Sequence, residues 1–144
     1  MKKEFTKEEL LSKVEAWCAK CEHCEQEVKA KLRQWGCRND QWENEIIENL
    51  KANKFVDEER FCKAYVHDKS EYEGWGRMKI RMMLRSKRIE LSMIEEALKT
   101  INQEVYLQSL EKAVAKYGRE DRERTMRFAL QRGFEYDEIV DYLK

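Results

Sequence analysis

The chain has 144 residues, a formal net charge of zero, no proline and only five glycines. That length fits one compact domain or one short repeat array, and 42% hydrophobic residues suffice for a core. So few helix-breaking sites point to an all-helical protein. No apolar run approaches the roughly 20 residues a membrane span needs. The opening MKKEFTKEELL is charged where a secretory signal would need about 7 to 15 apolar residues, so the reading is cytoplasmic, with no membrane partner.

Apolar spacing and breaks predict about nine helices in chain order. The first spans 6–21, on a stripe of Leu10, Leu11, Val14, Trp17, Cys18 and Cys21. The second covers 25–35 (Val28, Leu32, Trp35) and the third 39–52, capped by Asn39 or Asp40, with Trp42, Ile46, Ile47 and Leu50 inside. The fourth, 57–70, takes Asp57 as its cap and Glu58 and Glu59 in its first turn, where the helix dipole favours acids, with Phe61, Ala64 and Tyr65 facing in. Gly74 and Gly76 separate it from a fifth at 75–87. A sixth at 91–100 is capped by Ser92 or its neighbour, a seventh at 102–117 ends at Gly118, an eighth at 120–132 stops at Gly133, and a ninth runs over 135–143.

One apolar frame recurs three times, centred on Gly36, Arg88 and Gly133. Four residues before each centre lie Leu32, Leu84 and Ala129, and one after lie Cys37, Ile89 and Phe134. Six after come Trp42, Ile94 and Ile139, and ten after come Ile46, Leu98 and Leu143. The expected architecture is therefore an elongated array of three tandem three-helix units, at about 6–52, 57–100 and 102–144. Short helices are marginal alone, so packing holds such a fold. Gly36 and Gly133 suit the left-handed cap after a helix. Arg88 leaves two outcomes open: the same cap, strained by about 1 kcal/mol, or a different closure of the middle unit.

Zero net charge conceals local imbalance. Residues 74–88 hold six basic and no acidic side chains, whereas 39–60 hold seven acidic and three basic ones. Arg77, Arg81, Arg85 and Arg88 recur at helical spacing, with Lys79 and Lys87 among them, and no local acid neutralises them. With Ile80 and Leu84 turned to the core, this stripe is expected to be free for a partner, and Arg122, Arg124, Arg127 and Arg132 form a second basic group. Most aromatics fall on the apolar frame and are read as core. Trp75, between two glycines at the head of the stripe, is the candidate for partner contact.

Cys18, Cys21 and Cys24 form a C-x2-C-x2-C run with His23 beside it, the remaining cysteines being Cys37 and Cys62. Soft thiolates at such spacing suit a metal centre, but no fourth ligand follows at a customary spacing and no glycine or proline opens a ligand loop. The cysteines are read as reduced, metal-free helix packing. No phosphate loop, nucleophile elbow, H-E-x-x-H or dinucleotide fingerprint occurs, and the pairs Glu58–Glu59 and Glu95–Glu96 are adjacent and so diverge on a helix; an enzyme is not expected.

The stretch FVDEERFCKAYVHDKSEYEGWGRMKIRMMLRSKRIELSMIEEAL, residues 55–98, resembles the central signature of the RecX family, regulators of the RecA recombinase. The matching residues are Asp57, Glu58, Arg60 and Phe61, then Gly74, Gly76 and Arg77, then Leu84, Lys87, Arg88 and Ile89. The flanks EHCEQEVKAKLRQWGC and RTMRFALQRGFEYDEIVDYL resemble the family's outer units, so the likeness covers about residues 10–144. Cys24 stands where the family usually has a serine cap, Cys62 where alanine is common and Arg88 where glycine is common.

The resemblance implies a monomeric, cofactor-free, non-enzymatic protein of DNA repair, recombination and the SOS response. It would bind the RecA–single-stranded DNA filament, with at most weak duplex binding. It would inhibit filament extension, ATP turnover, strand exchange and coprotease activity. The alternative is a general nucleic-acid-binding helical module without RecA specificity.

Overall fold

The structure, a computed structural model, describes residues 4–144; the first three residues of the charged amino-terminal stretch lie outside it. The described residues form nine α-helices and no strand: α1 Lys7–Lys20, α2 Glu25–Gln34, α3 Asp40–Ala52, α4 Glu58–His67, α5 Arg77–Ser86, α6 Leu91–Leu98, α7 Gln103–Ala115, α8 Arg122–Gln131 and α9 Tyr136–Leu143. Among the described residues no helix is long and apolar enough to cross a membrane.

Side-chain caps start several of these helices, and those of α3 and α4 lie where the sequence places them. Thr6 closes a capping box with Glu9 on α1, Asn39 accepts from the Trp42 N–H on α3, and Asp57 accepts from the Arg60 N–H at 3.0 Å on α4. Cys24, in the serine position, caps α2 through a box with Glu27. Two expectations need correcting. Helix α6 starts from Glu90 with no side-chain cap, so Ser92 lies inside it. The predicted helix over 57–70 also changes character at Asp68, where a π-helical turn, Asp68–Tyr72, buries Ser70. That wider turn is of the kind that marks an irregular helix end, and apolar periodicity carries no signal for it.

The three frame centres adopt one conformation. Gly36, Arg88 and Gly133 have φ of +95°, +61° and +100°. Each donates its N–H three residues back, to Arg33, Arg85 and Leu130 at 3.0, 2.9 and 3.0 Å. The following N–H of Cys37, Ile89 or Phe134 reaches five back, to Leu32, Leu84 or Ala129, at 2.9, 3.5 and 3.1 Å. This paired cap satisfies the last carbonyls of the helix. The middle unit thus closes as the others do, with Arg88 strained rather than rearranged.

The chain divides into two compact units, Met1–Phe61 and Cys62–Lys144, inside α4. In the first, Leu10, Val14, Val28, Leu32, Ile46 and Leu50 form the core, edged by Trp17, Trp35 and Trp42. In the second, Tyr106, Leu110, Ala129, Phe134, Ile139 and Leu143 gather α7, α8 and α9, while Ile80, Leu84, Ile94 and Leu98 are buried on α5 and α6.

A backbone contact places α5 in the second unit. The Gly76 N–H donates to the Arg132 carbonyl at 2.8 Å and the Met78 N–H to the Gly133 carbonyl at 2.9 Å. A Cβ on Gly76 would lie 2.2 Å from the Gly133 carbonyl carbon and 2.4 Å from the Phe134 nitrogen. Gly76→Ala should therefore force these backbones apart and cost about 3 kcal/mol, the upper end of overpacking, read as a lower urea midpoint. Arg88→Gly should raise stability by about 1 kcal/mol, because glycine adopts positive φ without strain.

Candidate partner interface

The basic stripe of α5 meets acids that lie far away in sequence. Arg81 grips Glu95 of α6 through two bonds, Nε at 2.6 Å and Nη2 at 3.3 Å, with Glu135 at 4.0 Å. Arg77 reaches Glu138 of α9 at 3.4 Å and Gln103 at 3.1 Å, and its guanidinium lies 4.1 Å from the centre of the Tyr106 ring. The fully buried Tyr106 completes this cluster: its hydroxyl donates to Glu138 at 3.0 Å and accepts the Arg77 N–H at 3.2 Å. Burial pushes the Tyr106 phenol up, out of the physiological range, so it remains a donor. The expectation that no acid neutralises the stripe is thus corrected for Arg77 and Arg81. They clamp α5 to α6, α7 and α9.

The rest of the stripe is disposed differently. Arg85 and Arg88 are exposed, with no acid partner among the described residues, and Lys87 is half-buried. Lys79 lies 4.2 Å over the Trp75 ring, Lys69 lies 4.9 Å over it, and Trp75 meets Tyr65 edge-on. With ammonium groups over its ring, half-buried Trp75 is a packed aromatic whose stacking surface is largely occupied. Among the second basic group, Arg122 and Arg127 are exposed without an acid partner, while Arg124 covers the Tyr117 ring at 4.1 Å. Arg132 donates to the Glu73 carbonyl and holds the turn that carries Gly74 and Gly76.

The signature residues have internal duties. Asp57 caps α4, Arg60 pairs with Glu22 and donates to the Lys54 carbonyl at 2.9 Å, Glu58 accepts the Glu25 N–H at 3.3 Å, and Phe61 is buried. Gly74, at φ +68°, and Gly76 shape the entry to α5. Part of the acidic 39–60 segment is likewise neutralised within its own unit, as in the buried Glu43 on Arg33 at 3.2 Å and Glu45 on Lys7.

One feature escaped the sequence reading. Met78, Met82 and Met83 of α5, with Leu130, Tyr136 and Lys79, line an open groove of about 610 Å³. Met82 and Tyr136 are 66% and 61% exposed, values at which large apolar side chains mark a contact surface. The signal was available: Met78 and Met82 are one helical turn apart, on a different face from Ile80 and Leu84. Among the described residues no group of three or more His, Cys, Asp or Glu converges as a metal ion would require.

These features define an all-helical protein built on repeated three-helix turns, with a clamped basic helix that presents methionines and unpaired arginines. Residues 57–98 match the family model of RecX, second three-helix domain, over the stretch in which the signature lies. The chain also has the RecX fold. A crystal structure of regulatory protein RecX superposes with a TM-score of 0.80 at 21% identity, over 94% of this chain and 71% of the other. The crystal structure of RecX from Lactobacillus salivarius gives 0.76 at 21% identity, over 95% and 93%. No curated protein matches the sequence.

The clamp has a measurable consequence. Arg81→Ala should lower stability by about 1 kcal/mol, and a double-mutant cycle with Glu95→Ala should give a coupling of about 0.5 to 1 kcal/mol at neutral pH. The hydrogen bond from Arg81 holds the Glu95 carboxyl below its usual range. A depressed carboxylate stabilises the fold above its unfolded pKa of about 4.3, and that contribution is lost as pH falls through the lower folded value. Repeating the cycle in progressively more acid buffer should show the coupling fade.

Proposed function

We propose that this protein binds the RecA–single-stranded DNA filament and inhibits its extension, and with it ATP turnover, strand exchange and coprotease activity. The observation that carries the reading is the pairing of two chemistries in one unit: exposed arginines without acid partners, and an exposed methionine groove beside them on α5. Arg85, Arg88, Arg122 and Arg127 suit phosphate or an acidic protein groove. Met78, Met82 and Met83 suit a protein surface, since methionine packs adaptably and is enriched, like arginine, at the centre of protein interfaces. A nucleic acid alone has no use for the groove. A nucleoprotein filament offers both kinds of surface. The Gly-Trp-Gly turn and the Arg77 and Arg81 clamps hold α5 in place, and the contact falls to Lys79, Arg85, Lys87 and Arg88, with Arg122, Arg124 and Arg127 as the second basic group.

Added below the RecA concentration, the protein should slow the DNA-dependent ATPase of RecA. The triple variant Arg85→Ala, Arg88→Ala, Arg127→Ala should melt at or above the parent's temperature, inhibit less, and bind with a salt slope reduced by roughly one per phosphate contact removed. The pair Met82→Ser, Met83→Ser should weaken inhibition at unchanged salt slope. An ATPase unaffected by excess folded protein would overturn the proposal, and equal, RecA-independent binding to bare DNA would replace it with a general nucleic-acid-binding module.

A further inference from the structure

The cysteine run that the fold was expected to absorb is only partly buried. Cys18 and Cys24 lie in the core of the first unit, and burial pushes the Cys18 thiol up to about 11, as befits an inert packing group. Cys21, expected on the apolar stripe of α1, is instead exposed. Helix α1 ends at Lys20, and Cys21 leaves the helix in extended conformation with φ of −161°, which turns its side chain off the stripe. That exit brings its sulfur 3.2 Å from Nε2 of His23. On the far side of the ring, Nδ1 lies 3.0 Å from the Glu27 carboxylate.

The ring between them is held on several sides. His23 stacks on Trp17 with centroids 3.5 Å apart and planes 12° from parallel, and its side chain is only 13% exposed. The Glu27 oxygen that meets Nδ1 also accepts the Cys24 N–H at 3.3 Å, so the α2 capping box fixes the carboxylate. An acceptor at Nδ1 places the ring proton there and turns the Nε2 lone pair toward sulfur. Nucleophile, base and orienting carboxylate thus stand in line, the arrangement by which a thiol is activated for attack. Among the described residues no group of three or more His, Cys, Asp or Glu is placed to hold a metal ion there.

We propose that Cys21, His23 and Glu27 form a reactive-thiol site that undergoes exchange with low-molecular-weight disulfides. The Cys21 thiol passes its proton to Nε2 of His23, and the sulfur attacks one sulfur of the incoming disulfide. The new bond joins Cys21 to that half, the original S–S bond breaks, and the departing thiolate takes the proton back from the imidazolium. The incoming disulfide is the oxidant: Cys21 is oxidised to the mixed disulfide, the departing half is reduced to a thiol, and the number of disulfide bonds is unchanged. Glu27 acts through His23 as a positioning residue. Cys18, one helical turn earlier but buried, is badly placed to resolve the adduct, so the mixed disulfide persists until an external thiol removes it.

The test uses the full reduced chain and 5,5′-dithiobis(2-nitrobenzoate) at neutral pH, with released chromophore for the rate and peptide mass for the site. One fast equivalent is expected, mapped to Cys21 and reversed by dithiothreitol. His23→Phe keeps the stack on Trp17 and removes the base, and it should slow Cys21 by about a hundredfold, the low end for loss of a general base. Glu27→Gln should slow it less, and Glu27→Asp should restore part of the rate, which a purely structural role in the cap would not do. Circular dichroism melts establish that each variant is folded. Cys21 reacting at the same rate in the parent, His23→Phe and Glu27→Gln would show exposure alone at work and overturn the site, as would a fast equivalent mapped to another cysteine.

Discussion

The left-handed residue after the helix is the constraint on which each three-helix turn depends. Leu32, Leu84 and Ala129 are fully buried four residues before it, and Cys37, Ile89 and Phe134 are buried one residue after. Helical backbone cannot return the chain to the core so soon; one residue at positive φ can. The return also sets the register of the next helix, so that Ile94 and Ile139, six residues on, lie inside as well. Arg88 shows which effect wins. Its left-handed conformation costs about 1 to 2 kcal/mol, whereas burying Leu84 and Ile89 is worth about 1.5 to 3 kcal/mol each, so the core holds a residue that would otherwise avoid the turn.

In the second unit this cap also serves as a docking surface. Gly133 turns the chain and leaves its carbonyl for the Met78 N–H, and Gly76 brings the start of α5 close enough to use it. The two glycines thus do different things: one supplies positive φ, the other supplies the absence of a side chain. Once α5 is set against the α8–α9 turn, its rotation decides the fate of each cation. Arg77 and Arg81 face Glu138 and Glu95, while Arg85, a turn further on, lies past the reach of both.

What could be read from the sequence follows from the range of each interaction. Helices, caps at Asn39 and Asp57, and the buried frame are set by neighbours within a turn, and local spacing found them. Glu138 lies 61 residues from Arg77 and Glu95 lies 14 from Arg81, so counting acids at i+3 and i+4 made both arginines look unneutralised. Cys21 fell to a similar limit. Periodicity placed it on the apolar stripe, but the helix stops one residue earlier, and with the helix the periodicity stops too. Met78 and Met82 fall within a basic segment of the sequence, and only their one-turn spacing marks them as a face of their own.

The division of cations into clamped and unpaired ones explains how a chain with no net charge can still offer a basic surface. An ion pair removes one charge of each sign from the field, so the cations left without an acid partner, Arg85, Arg88, Arg122 and Arg127, are those that a partner of the kind proposed would meet. Such charges act over a Debye length of about 8 Å at physiological salt, whereas the methionine groove acts only at contact. For a filament of the kind proposed, the arginines would govern approach and the groove would govern residence, since mutations that touch charge move association rates while desolvated apolar contacts set dissociation. The clamps tie the two together: Arg77 and Arg81 spend their charge internally so that the helix carrying both surfaces keeps one orientation.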